Sequence, residues 1–186
     1  MKVKNFIQVG FVTLVLSGCQ TVPTMHYDFT PDYVAPSGHK INAKLQSIVV
    51  TTVEPEERYG VMPKESKVIP IVQEWERALS VALSQSKNFE SESANKVNLI
   101  VKILKIETVS IIPFVTLQST TDITASYQIV EVGTGKTLFR KEISSNGVGL
   151  IFTSGIFGSI KNTDIVSENT AIRLNIEKLI RALTGF

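Results

Sequence analysis

The chain has 186 residues, a formal charge of +2 and one cysteine, with 43% apolar residues. That length suits one domain and is enough to bury a core without disulfide or metal staples. The excess charge is Lys2 and Lys4 at the start; the rest is neutral, which argues against nucleic acid and against a polybasic grip on anionic lipid.

Lys2 and Lys4 precede an almost wholly apolar run, 6–16, closed by Ser17, Gly18 and Cys19. Charge, apolar run and small residues in that order describe a secretory signal over residues 1–18. The run is about half the roughly 20 residues that a membrane-spanning helix needs. Leu16-Ser17-Gly18-Cys19 resembles a bacterial lipobox. That resemblance implies cleavage after Gly18, diacylation of the Cys19 sulfur with long chains such as palmitate, and acylation of the new amine. Each buried CH₂ is worth about 0.8 kcal/mol, so two or three chains hold far more firmly than one. Acylation also uses the only thiol, leaving no disulfide, cysteine nucleophile or cysteine ligand.

Residues 19–40 read as a lipidated tether, interrupted by Pro23, Pro31, Pro36 and Gly38. Tyr27, Phe29 and Tyr33 alternate along it, so part of it is expected to lie on the domain that follows, 41–186. A β-branched run makes 41–53 the first strand, and 54–67 is a charged loop broken by Pro55, Gly60 and Pro63. Ile71, Val72, Trp75, Leu79, Ala82 and Leu83 recur at helical spacing and predict a helix over 70–86, with Pro70 in its first turn.

A second strand is expected over 97–107. Val97, Leu99, Val101 and Ile103 mark one face, and Asn98, Ile100, Lys102, Leu104 and Ile106 the other. An apolar connection, 111–117, passes through Pro113. Ile123, Ala125, Tyr127 and Ile129 alternate with Asp122, Thr124, Ser126 and Gln128, the period of a half-buried strand. Gly133-Thr134-Gly135-Lys136 then turns the chain into a partner strand from 137 to about 145. Residues 147–160 read as a glycine-rich but apolar connection, and 164–183 as a closing helix capped by Asn162 or Thr163. The expected fold is α+β: a two-layer sandwich with a mixed, mostly antiparallel sheet and two helices on one face, in the order β-α-β-β-β-α.

Chemistry is sparse. Gly135-Lys136-Thr137 lies between two strands and has Val130 where a phosphate loop needs glycine. His26 and His39, the only histidines, both fall in the tether, so neither a metal site nor a histidine base is expected. No cofactor and no catalytic residue is assigned. Glu107 and Asp122 bracket the 111–117 connection and are the carboxylates that a glycan hydrolase would use. The more informative oddity is apolar bulk in the two connections, at Phe114 and at Ile151, Phe152, Ile156 and Phe157. A meander could bring them together, either to close the core or to offer a contact surface for a partner or a second copy. A membrane-associated oligomer whose apolar loops enter the bilayer is a further alternative.

With these residues in place, the chain resembles small outer-membrane lipoproteins of the YajG type and the related auxiliary lipoproteins of ABC transport systems. The lipobox, the Trp75-x-x-x-Leu79 helix, the strand Val97-Asn98-Leu99-Ile100-Val101, the 133–136 turn and the closing helix carry the resemblance. It implies a β-α-β-β-β-α domain facing the periplasm, and a non-catalytic, accessory role in an envelope assembly or transport complex. Gln20 after Cys19 resembles lipoproteins carried to the outer membrane.

Overall fold

The computed structural model describes residues 26–54, 62–111, 116–152 and 160–186. In chain order they form β1 (Lys44–Thr52), α1 (Glu65–Ser86), β2 (Lys96–Ile111), β3 (Thr116–Glu131), β4 (Thr137–Phe152) and α2 (Ile160–Thr184). The four strands make one sheet in that spatial order, with β1 parallel to β2 and the other pairs antiparallel. This is the α+β fold and element order that periodicity predicts.

One core joins the layers. Trp75, Ile71 and Leu79 of α1 and Ile172, Ile176 and Leu179 of α2 are fully buried with Val97, Leu99, Val101 and Ile103 of β2 and Ala125, Tyr127 and Ile129 of β3. The other side of the sheet carries Arg140, Glu142 and Asn146 into solvent. Period-two alternation is therefore paid out on one face only, because both helices cover the same side.

Four features differ from expectation. The β2 register slips between Ile103 and Lys105. A bulge of this kind inserts one residue and reverses which side chains face inward. Ile106, expected opposite Ile103, is instead 2% exposed within the core and pairs with Ile123. The second difference is length: β2 and β3 run on to Ile111 and back from Thr116, and β4 continues to Phe152. Ile111, Thr116 and Leu117 of the 111–117 connection, and residues 147–152 of the 147–160 connection, are thus strand. Finally, α1 starts at Glu65, so Pro70 lies inside it. The Lys67 and Val68 amides donate to the Lys64 carbonyl, closing a turn upstream of Pro70. The ring forfeits one hydrogen bond near the helix start, where the loss is smallest. α2 begins at Ile160, so neither Asn162 nor Thr163 caps it.

The turn between β3 and β4 follows its sequence. Gly133 and Gly135 have φ of 94° and 71°, in the region that side chains disfavour. Amides of Glu131 and Gly135 close it on the carbonyls of Lys136 and Glu131.

The chain ahead of β1 is seated on the helices from Tyr27 onward. Phe29 is completely buried, and its amide donates to the Glu74 carboxylate at 3.4 Å. Asp28 faces the guanidinium groups of Arg77 and Arg173, at 3.4 Å from each. Asn169 of α2 grips both sides of the same turn, donating to the His26 carbonyl and accepting from the Asp28 amide. Burial would raise the Asp28 carboxyl, but hydrogen bonds from the Thr30 backbone and side chain, then the charges of Arg173 and Arg77, hold it below its ordinary pKa.

Candidate functional site: the charge-free end of the sheet

Beyond the β2 bulge the inward-facing positions change character. Where Val97, Leu99 and Ile129 fill the near half of the core, Thr108, Ser110, Ser119, Thr121 and Ser145 stand against α2 in the far half. Their hydroxyls are tied to the helix. Ser110 and Ser119 both donate to Asp164 Oδ1 at 2.6 Å, and the Thr121 and Ser167 hydroxyls lie 2.7 Å apart. Thr108 donates to Glu168 Oε1 at 3.2 Å, and Lys67 Nζ of α1 reaches the same oxygen at 2.6 Å. Further along, Tyr127 donates to Asn175, whose amide nitrogen donates to the Ile143 carbonyl and to Ser145. In a low-dielectric interior such a network fixes one seating of the helix, because any other leaves polar groups unpaired.

The glycines explain how the helix can come so close. A Cβ on Gly147 would stand 2.2 Å from the Ser167 carbonyl oxygen and 2.4 Å from the Ala171 nitrogen. One on Gly149 would stand 2.4 Å from the Thr163 carbonyl oxygen. The sequence suggests a pliant connection here; the glycines instead make a flat seat in a strand, where the α2 backbone lies on β4.

Glu168 is the one fully buried carboxylate of this region, and its second oxygen, Oε2, lacks a hydrogen-bond partner. Burial, then the charge of Glu168 and a hydrogen bond to it, and last the charge of Asp164, push the Tyr27 hydroxyl well above the ordinary tyrosine pKa. Tyr127 is raised too, by burial above all. Both rings are neutral at physiological pH, and their hydroxyls serve packing and hydrogen bonding.

The sequence-derived contact residues divide. Register sets Leu117 opposite Ile151 and Thr116 opposite Phe152, so the ends of β3 and β4 lie side by side. Ile151 and Phe152 therefore close β4 instead of standing in a loop. Phe114, Ile156, Phe157 and Cys19 lie outside the described residues. On the open face of this same end, Val109 is 54%, Val148 44% and Leu150 53% exposed. Val109 pairs with Thr120 and Thr120 with Val148, so two of the three stand in one row across the sheet. Sequence reading missed Val109 and Val148 because it ended β2 and β4 too early. A signal was present: from Thr108 to Thr121 and again from Ile143 to Ile160 there is no Asp, Glu, Lys or Arg.

Glu107 and Asp122 turn out to be direct partners across β2 and β3. Each is engaged, Glu107 with Lys105 at 2.7 Å and Asp122 with the Asn146 amide at 2.7 Å. They stand on the open face, where carboxylates are solvated. Exchanging both, Glu107→Gln with Asp122→Asn, is expected to shift stability by less than about 1 kcal/mol, as for exposed ion pairs. Growth under envelope stress should be unchanged; a catalytic carboxylate would forfeit roughly 10²–10⁴-fold in rate. His26 and His39 lie apart on the docked segment, and no cluster of three metal-ligating side chains occurs among the described residues.

No family model matches the chain, and no curated protein matches it. The fold has a solved counterpart. A Xanthomonas campestris protein, XCC0632, assigned to family DUF330, superposes with a TM-score of 0.54 at 11% identity, covering 86% of this chain and 95% of its own. A minor lipoprotein from Acinetobacter baumannii gives 0.42 at 10% identity over 78% of this chain and 95% of its own. The Chlamydia trachomatis protein CT253 gives 0.45 at 10% over 77% and 97%. At such identity the Xanthomonas likeness is one of fold alone. No helix of the described residues is long and apolar enough to cross a membrane.

Proposed function

We propose that this chain is a lipid-anchored protein of the outer membrane, of the YajG or ABC-transport auxiliary type, that works by binding within an envelope complex. The observation that carries the anchor is Leu16-Ser17-Gly18-Cys19, placed behind a charged and apolar leader. Its position supports the same reading. Seven residues after Cys19 the chain is already held by the domain, where the Asn169 amide donates to the His26 carbonyl, so an anchor at Cys19 would lie close to it. Binding rather than catalysis is supported by the state of the polar groups. Serine, threonine and carboxylate side chains of the far half are spent on seating α2, and the exposed feature there is apolar.

Cys19→Ser is the direct test. The variant is expected to keep its leader or to appear as a soluble form, and to leave the outer-membrane fraction. Intact-mass measurement of the native protein should show acyl chains on residue 19. Membrane fractionation of Cys19→Ser at wild-type level, with an unmodified native Cys19, would refute the anchor.

A further inference from the structure

The seated segment restricts how an anchored domain can stand on a bilayer. It enters the domain beside Asn169 and Arg173 and runs along α2 toward that helix's C-terminus, with Asp32 near Arg173 and the Ser37 amide on the Ser86 carbonyl. Only seven Cα-to-Cα steps lead from Cys19 to His26. Fully extended, they reach roughly 25 Å.

Asn169 lies level with Gly147, since Gly147 sits between Ser167 and Ala171 of α2. From Gly147 the strand has five residues to its end at Phe152, roughly 17 Å at the strand rise. In the other direction Thr121, the partner of Gly147, is twelve residues from Gly133 in the β3–β4 turn, roughly 40 Å away. The tether can pass the charge-free end and cannot reach the turn.

Resting on the lipid anchor proposed above, we infer that the domain stands with the charge-free end of its sheet against the membrane, with Val109, Val148 and Leu150 in contact with lipid. Two independent features meet there. Reach selects this end over the turn, and composition selects it over the helical side, which is also within reach. The helical side presents Asp28, Asp32, Arg77, Arg173, Glu177 and Arg181, charges that resist removal from water. The end presents exposed aliphatic side chains in a stretch without a formal charge. Apolar surface of this kind gains by entering the headgroup boundary, and three such side chains are too few to hold a protein there unaided. Orientation, with the acyl chains supplying retention, is the role it fits.

The test uses the full mature protein, purified with its acyl chains and reconstituted in phosphatidylethanolamine/phosphatidylglycerol vesicles. Acylation consumes Cys19, so a new cysteine is the sole reactive thiol. Leu150→Cys, Val148→Cys, Tyr33→Cys and Thr134→Cys each carry an environment-sensitive fluorophore. Labels at 148 and 150 are expected to lose most of their emission to brominated lipid and little to aqueous iodide. Labels at 33 and 134 should show the reverse. Open access of iodide to 148 and 150, without quenching by lipid, overturns the inference, as does strong lipid quenching at 33. Protection of 148 and 150 from both quenchers overturns it in favour of a protein or a second copy covering the end. Mass measurement on the same sample separates the two proposals. An unmodified Cys19 overturns both, whereas an acylated Cys19 with a wet sheet end overturns the orientation alone.

Discussion

Gly147→Ala is expected to be among the most damaging single substitutions in this protein. The added methyl meets the Ser167 carbonyl oxygen at 2.2 Å and the Ala171 nitrogen at 2.4 Å, both in the α2 backbone. A flexible side chain could swing away; a helix backbone cannot, and must lift along a whole turn. Lifting it stretches the contacts of Asp164 with Ser110 and Ser119 and of Ser167 with Thr121. Overpacking usually costs about 1–3 kcal/mol, occasionally more, and a clash between backbones belongs at or above the top of that range. At about 2–4 °C per kcal/mol for a domain of this size, the melting temperature should fall by roughly 6–12 °C or more. Gly149→Ala should behave alike, with 2.4 Å to the Thr163 carbonyl oxygen. Gly38→Ala, with open space around its Cβ, supplies the neutral control. Equal melting temperatures for Gly147→Ala and Gly38→Ala would mean that α2 does not sit on β4 in this way.

Lys67→Met is expected to cost more than removal of its partner. Glu168 is fully buried, whereas Lys67 keeps 38% of its side chain exposed. Without Lys67, the buried carboxylate keeps neutral donors such as Thr108 but no facing cation among the described residues, and its charge stays uncompensated. Breaking one side of a buried pair typically costs about 3–5 kcal/mol, and the exposure of Lys67 places this case near 3. Glu168→Gln instead strands an ammonium group that can turn into water, so about 1 kcal/mol is expected. The double variant should recover most of the loss seen in Lys67→Met alone. Denaturant midpoints at constant slope measure all three. If Glu168→Gln proves the worse single change, Lys67 is not what offsets the buried charge.

The near half of the domain was legible because each inward position is apolar. Val97 to Ile103 and Ile123 to Ile129 announce period two, and Ile71 to Leu83 announces 3.6, with nothing to compete. The far half was not. Its inward positions are Thr108, Ser110, Ser119 and Thr121, which look like solvent-facing residues until Asp164, Ser167 and Glu168 are brought over them. Glycines at 147 and 149 look like loop until the helix backbone above them is known. Ile106 fell on the wrong face for a further reason, since a one-residue bulge leaves no mark in composition.

For the candidate site the division is similar. The expectation that two apolar connections meet is matched by the register of Thr116 with Phe152. Glu107 and Asp122, separated by fifteen positions in the chain, could not be known as cross-strand partners until the hairpin register was fixed.

Local matters could be read from the residues in order: where each apolar stripe lies and where glycine turns the chain between β3 and β4. These depend on neighbours within a few residues, and periodicity reports them. Only the packed fold shows how far β2, β3 and β4 extend, that α2 rests on glycine, and that the chain at Asp28 is bound between Arg77, Asn169 and Arg173. Each of those outcomes turns on a polar or absent side chain meeting a partner dozens of residues away. Hydrogen bonding and close approach, unlike hydrophobic burial, leave no period in the chain for a reader to find.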